Sequence, residues 1–465
     1  MGRPYPGLPG SSGSQRLPFQ RGSSCPILCG FPARSWHDWL AMDLLADLSA
    51  RGLIHDSTDQ AALAARLASG PLGLYIGFDP TADSLHVGHL VGQLFMRRFQ
   101  LAGHRPFPLA GGATGMIGDP GGRSEERNLL DVDTLRHNVE CIKVQLSNLL
   151  DFDPGPYQAT LVNNADWTAP LTMLEFLRDV GKHFTVNQMM AKDSVRSRLE
   201  SESGISYTEF SYMLLQANDF RYLYQSHGVE LQAGASDQWG NIVAGVELLR
   251  RSSGAHAHGM THPLMLRSDG QKFGKSAGGA VWLDPQRTSP YQFRQFWIQT
   301  DDAMIGSFLN MLSLAPITDL QALMSDHLQA PERRLAQRAL ADELTALVHG
   351  QPALSTARAA ADVLFGGDPT GASAVVLAAV AAEVPGVELP YDFDGLRVHE
   401  LFVKGGVCSS NSEVQRLLTQ GAIRSGNRVL SADGLLLASD QLSGGFVLLR
   451  KGKRDFLVGK VSTAG

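Results

Sequence analysis

Two pairs of side chains in this sequence have the chemistry to handle a phosphate: His86 with His89, and Lys272 with Lys275, each pair three residues apart. The histidines follow Leu74-Tyr75-Ile76-Gly77-Phe78, a β-branched and aromatic run that predicts a short buried strand. Asp79 to Ser84 contains Pro80 and reads as a turn. Asp83 or Ser84 is then expected near the N-cap of a helix whose first turn holds His86-Val87-Gly88-His89. Residues three apart share a helix face, so both rings point the same way. A strand feeding a helix N-terminus presents unpaired N–H groups and the positive dipole end to an anion. Two imidazole donors there, with Gly88 permitting close approach, fit the phosphates of a nucleoside triphosphate whose base lies over Gly88. As metal ligands the pair lacks a third residue at a typical spacing, so no zinc or other protein-held metal is expected.

The lysines sit in Leu264 to Ser276, where Gly270, Gly274 and Gly278-Gly279 interrupt the chain. Glycines on both sides of Lys272, Lys275 and Ser276 predict a flexible cationic lid over phosphates. Taken alone, the loop would be an ordinary Lys- and Gly-rich surface segment. Between the two pairs lie further candidates. A strand at Arg105 to Leu109 runs into Gly111-Gly112-Ala113-Thr114-Gly115 and on to Gly118-Asp119-Pro120. Strand, helix, strand and glycine-rich loop make a βαβ unit on a parallel sheet, with Asp119 placed as an acceptor. Arg123 and Arg127 are four apart on a loop-to-helix edge. Within the helix expected at Tyr207 to Tyr224, Tyr212, Gln216 and Asp219 share one face. A buried Asp costs several kcal/mol unless hydrogen-bonded, so that face should line a polar pocket. Val229 to Gln232 reads as another strand, ending in a loop that offers Asp237 and Gln238.

With 43% hydrophobic and 18% charged residues in 465, the chain reads as a globular protein of two or three domains. No apolar run approaches a membrane span. Cys25, Cys29, Cys141 and Cys408 are too scattered for a disulfide framework and fit a reducing cytoplasm. Residues 1–41 are rich in Gly, Pro, Ser and Arg and read as a disordered leader or a non-native extension, with Met42 as the natural start of the first helix. A parallel-sheet unit is expected over 42–288 and a helical unit over 289–388. Pro390-Tyr391-Asp392 reads as a linker to a small unit at 396–461. The net charge of −6 hides an asymmetry, because residues 396–465 hold ten Lys/Arg against five Asp/Glu. A basic end on an acidic body suits a polyanion such as RNA, or is an ordinary solvated tail.

In this order, His86-Val87-Gly88-His89, the Gly-Asp-Pro loop, the Tyr-x-x-x-Gln-x-x-Asp helix and Lys272-Phe273-Gly274-Lys275-Ser276 resemble the class I aminoacyl-tRNA synthetases, and closely the bacterial-type tyrosyl family. The resemblance covers Met42 to about Val461. It implies a Rossmann-like parallel-sheet α/β catalytic domain, an α-helical anticodon-recognition domain and a small α+β S4-like RNA-binding domain. It implies activation of L-tyrosine by ATP, accompanied by Mg²⁺, and transfer to tRNA(Tyr) by a homodimer. His86, His89, Lys272, Lys275, Arg123 and Arg127 would act on the phosphates; Arg123 stands where many relatives carry Lys. Tyr75 and Asp219 would bond the phenol, and Asp119, Tyr212 and Gln216 the ammonium, with Gln232 and Gln238 completing the pocket. Gly77, Asp79, Gly88, Asp237, Lys275 and Ser276 would face ATP. Arg416, Arg424, Arg450, Lys451, Lys453 and Arg454 would meet tRNA phosphates. Two alternatives remain at this stage: a tryptophanyl enzyme of the same fold, and a synthetase-derived RNA-binding protein without catalysis. Tyr75 with Asp219 speaks against an indole, which has one donor and no acceptor.

Overall fold

The computed structural model describes residues 36–119, 130–200, 204–266, 270, 273–276 and 279–462. Its first part is α1 (Trp36–Leu40), α2 (Leu44–Ala50), β1 (Asp56–Ser57), α3 (Gln60–Ala68), β2 (Gly73–Phe78), α4 (Leu90–Leu101), β3 (Arg105–Ala110), α5 (Val132–Leu149) and β4 (Val162–Asn163). Four short helices follow, α6 (Ala165–Thr168), α7 (Met173–Asp179), α8 (Val186–Met190) and α9 (Asp193–Leu199), then α10 (Tyr207–His227), β5 (Val229–Ala235), α11 (Trp239–Ser253) and β6 (His258–His262). The six strands form one sheet in the order β1-β6-β5-β2-β3-β4, parallel except for β1. Neighbours β2 and β5 are far apart in sequence, so the carboxyl ends of β2, β3 and β5 open side by side. Open parallel sheets bind ligands at such an edge.

A small hairpin, β7 (Lys275–Ser276) with β8 (Gly279–Ala280), leads to five helices: α12 (Pro290–Ile298), α13 (Asp302–Leu312), α14 (Ile317–Gln329), α15 (Leu335–His349) and α16 (Gln351–Leu364). These do not sit apart from the sheet. One buried cluster runs from Leu44, Leu90 and Phe95 to Phe293, Trp297, Phe308 and Leu340. Buried polar groups cross the same border. Arg51 donates to Ser313 O (2.9 Å) and Ala315 O (2.6 Å), and Arg98 also donates to Ser313 O; beside them, within the helices, Glu343 accepts from Leu314 N–H at 2.8 Å.

The chain ends with α17 (Ala374–Ala381), β9 (Gly386–Leu389), α18 (Val398–Lys404), α19 (Asn411–Thr419), β10 (Ile423–Ser425), β11 (Arg428–Val429), β12 (Phe446–Lys451) and β13 (Asp455–Val461). Its sheet has the order β11-β10-β12-β13-β9. β9 lies in the range read as helical. It pairs in parallel with β13, burying Val387 and Leu389 while their neighbours face out, and Pro385 and Pro390 bound it as they can only bound an edge strand. A second departure concerns the leader: Trp36–Leu40 is helical, and Trp39, 2% exposed, belongs to the main core. Composition put that segment outside the fold because one tryptophan's burial leaves little trace among Gly, Pro and Ser.

Candidate active site

His86-Val87-Gly88-His89 folds as a single 3-10 turn, N-capped by His86 and running directly into α4. His86 Nδ1 accepts from Gly88 N–H at 3.1 Å, and His89 Nδ1 accepts from His86 N–H at 3.1 Å. In a neutral imidazole whose Nδ1 accepts, the hydrogen sits on Nε2, so the backbone sets the tautomer of both rings. The rings lie 4.0 Å apart between centroids, tilted by 30°. Burial, and then His86 beside it, pushes the His89 pKa down to about 3. It therefore donates at neutral pH without being charged. The cap expected at Asp83 or Ser84 does not form, because both side chains hold the preceding loop. Asp83 pairs with Arg287, while Ser84 Oγ donates to Leu85 O and accepts from Asp284 N–H.

The second signature is brought onto the first. Gly274 has φ of +112°, and a Cβ there would lie 3.2 Å from Val87 Cγ2 and 3.5 Å from Gly88 N. Only glycine meets both demands. Val281 N–H donates to Gly274 O, and Val87 N–H to Val281 O, each at 3.0 Å. Lys275 and Ser276 lie on β7, opposite Ala280 and Gly279. Lys272, Arg123 and Arg127 fall outside the described residues.

The polar face of α10 packs toward β2 and the loop that follows it. Asp219, 2% exposed, accepts from Trp167 Nε1 (2.8 Å) and Asn164 Nδ2 (3.0 Å). Burial raises its pKa to about 7 against the pull of those two donors. Tyr75 lies in β2 with its ring 5.5 Å from Phe220, and its hydroxyl points at Gln216 O from 3.4 Å. Burial and the Asp219 charge keep that hydroxyl protonated. Tyr212 donates to Asp79 Oδ2 at 3.0 Å, and Thr114 Oγ1 donates to Asp79 Oδ1 at 2.9 Å. At the mouth, Gln238 Nε2 donates to Asp119 Oδ2 at 2.6 Å, with Asp237 in the same turn. Among the described residues, Gln216 Oε1 and Gln232 Oε1 are buried acceptors with no donor. Such groups are costly unless a ligand supplies one.

Four residues of this pocket escaped the sequence reading: Thr114, Asn164, Trp167 and Lys192. Lys192 Nζ donates to Gly240 O; burial lowers its pKa to about 8, with Asp119 opposing. Asn164 and Trp167 are three apart at the end of β4, a spacing that carries meaning only once Asp219 is seen facing them. The glycines of the β3 loop serve packing: a Cβ on Gly111 would lie 2.4 Å from Asp79 Oδ1, and one on Gly112 2.3 Å from Asn163 Oδ1. Gly77 is exposed at the open end of β2. Of the basic candidates near the C-terminus, Arg416, Lys453 and Arg454 are exposed, and Arg424 and Arg450 are half-buried. Lys451 is engaged internally, donating to Val407 O at 2.6 Å with Asp455 at 3.6 Å.

Comparison with known proteins fits this geometry. Residues 67–366 match the family model of class I tRNA synthetases (W and Y), and residues 377–458 match the tyrosine–tRNA ligase SYY-like C-terminal domain. The chain is 51% identical to the tyrosine–tRNA ligase of Opitutus terrae over 90% of its length and 100% of that protein. It is 46% identical to that of Geobacillus stearothermophilus, over 89% of its length and 99% of the relative. Among solved structures, a C-terminally truncated mitochondrial tyrosyl-tRNA synthetase from Aspergillus nidulans superposes with a TM-score of 0.64 at 30% identity, covering 71% of this chain and 99% of that one. The chain belongs to the class I tRNA synthetases of the tryptophan and tyrosine type, and within them to the tyrosine–tRNA ligases.

Proposed function

We propose that the cleft between β2, α10 and the HVGH turn joins L-tyrosine to ATP, and that the bound tyrosyl-adenylate then charges tRNA(Tyr). The observation that carries this assignment is the buried Tyr75–Asp219 pair: one hydroxyl and one carboxylate, matched to a phenol. Phenylalanine would offer neither of them a hydrogen bond, forfeiting roughly 0.5–1.5 kcal/mol for each bond not made. Tyr212, Gln216 and Asp119 take the ammonium, and the orphaned Gln216 and Gln232 oxygens suit its N–H donors. Gln238 fixes Asp119 from behind.

The tyrosine carboxylate oxygen attacks the α-phosphorus, and the bond to pyrophosphate breaks. No covalent enzyme intermediate is involved; positioning and charge stabilisation carry the step. His86 and His89 donate through Nε2 to phosphate oxygens. Lys272, Lys275, Ser276, Arg123 and Arg127 hold the leaving pyrophosphate. Gly77, Asp79, Gly88 and Asp237 receive the nucleotide. ATP enters as its Mg²⁺ complex, with the ion carried by phosphates and water. A hydroxyl of the tRNA terminal adenosine then attacks the tyrosyl carbonyl and releases AMP.

Arg416, Arg424, Arg450, Lys451, Lys453 and Arg454 take tRNA phosphates, in a cytoplasmic enzyme whose helices after Ser289 meet the anticodon arm. The homodimer forms through α7, α8 and Tyr207, where Met173 (71% exposed), Leu174 (80%) and Tyr207 (70%) leave large apolar side chains in solvent. Sedimentation of Leu174→Glu against wild type tests that interface. Pyrophosphate exchange with tyrosine, tryptophan and phenylalanine tests the substrate. Exchange with tyrosine alone is expected, and equal exchange with tryptophan would overturn the pocket assignment.

A further inference from the structure

The His86 ring is confined on two sides. His89 lies against one face, and the indole of Trp282 meets it edge-on with centroids 6.2 Å apart at 65°. Trp282 is placed by its own backbone. An antiparallel bridge joins it to His86, with Val87 N–H donating to Val281 O at 3.0 Å and Leu283 N–H to Leu85 O at 2.8 Å. Trp282 N–H donates to Thr288 Oγ1 at 3.0 Å. The indole is also covered from outside: the Arg287 guanidinium carbon stands 3.5 Å from the ring centroid, and the same guanidinium pairs with Asp83, in the loop leading to His86. Asp83, Arg287, Trp282 and His86 thus close a ring of contacts between the β2 loop and the segment after β8. The reaction scheme above uses none of the first three.

We propose that Trp282, held by the Arg287–Asp83 pair, is a positioning residue for adenylate formation that acts through His86. His86 Nδ1 accepts from Gly88 N–H while the indole edge packs against the same ring, so the aim of Nε2 depends on both contacts. Arg287 is the right cation for the task, because a planar guanidinium can lie on an aromatic face and still present N–H groups to a carboxylate. Asp83 completes the brace from the loop that the histidine itself terminates.

This inference rests on the assignment of His86 to the phosphates, and a double-mutant cycle in the full-length enzyme separates the two. His86→Ala alone is expected to slow single-turnover tyrosyl-adenylate formation; an unchanged rate sinks the phosphate assignment. Trp282→Leu is expected to lower the same rate by about tenfold or more, with the dissociation constant for tyrosine unchanged. Trp282→Phe, which keeps an aromatic edge, should recover most of the loss. In the His86→Ala background, Trp282→Leu should cost nothing further. Full additivity of the two losses would overturn the positioning role while leaving the His86 assignment intact. Because Trp282→Leu could disturb folding, Arg287→Gln serves as a second variant on the exposed side. It should slow adenylate formation severalfold at unchanged tyrosine affinity, and an unaltered rate would remove the brace from the mechanism.

Discussion

Asp219 is set by a contest between burial, which raises its pKa, and two donors, which lower it; burial wins and the pKa stands at about 7. Its folded pKa lies above the ordinary carboxylate value, so free enzyme takes up a proton there as pH falls through about 7, and the acceptor for the substrate phenol is weakened. Tyrosine affinity should therefore decline below that pH. Trp167→Phe, which deletes one donor, should move the midpoint of the decline upward, as read from binding titrations between about pH 6 and 9. An unmoved midpoint would assign the pH dependence to another group. The histidines lead to a different readout. Both rings are held at Nδ1 by backbone N–H groups, so replacing either by alanine removes a transition-state contact and leaves the tyrosine site intact. A drop of roughly 10²-fold in the adenylation burst is expected, with tyrosine binding nearly unchanged. Loss of tyrosine affinity in its place would put the rings in the wrong site.

At the scale of elements, α1 makes the plainest prediction. A chain beginning at Met42 loses Trp39 from the main core, and truncating a buried tryptophan typically costs about 3–5 kcal/mol. Such a chain should melt well below the full-length protein, whereas equal melting points would return residues 36–41 to the leader. The same contrast shows what the sequence could and could not tell. Strand β2 was legible as a short apolar run closed by turn residues, and the Tyr212–Gln216–Asp219 face of α10 by its four-and-three spacing. Trp39 and β9 were not, because one is a single buried ring and the other a four-residue edge strand whose partner, β13, lies about seventy residues on. The helix start at His86 was missed because Asp83 and Ser84 are better caps by type. Tertiary contacts with Arg287 and Asp284 claim both. Asn164 and Trp167 lie beyond any local signal, since the Asp219 they serve arrives over fifty residues later.

The whole molecule divides earlier along the chain than composition suggested. α16 and α17 bury Ala360, Val376, Leu377 and Val380 against Phe446, Leu448, Phe456 and Val458 of the C-terminal sheet. A cut near Asp392 would bare that face and leave β9 without β13, so an aggregating product is expected. A chain ending at Leu364 should stay soluble, keep tyrosine-dependent pyrophosphate exchange and lose most tRNA charging. Full-length enzyme should also show the steeper loss of tRNA affinity with salt, because Arg416, Arg424, Lys453 and Arg454 leave with the removed part. Equal salt slopes for the two would defeat that division of labour. The buried contacts of Arg51 and Arg98 with residues 313–315 have a consequence for how such enzymes can be recombined. They weld the HVGH helix to the helices after Ser289, so sheet and helices must be inherited as a matched set. A chimaera of two relatives joined at Thr288 would set one parent's arginines against the other's carbonyls and fold poorly, whereas a junction just beyond Phe365 would exchange the RNA-binding end and leave the catalytic parent whole.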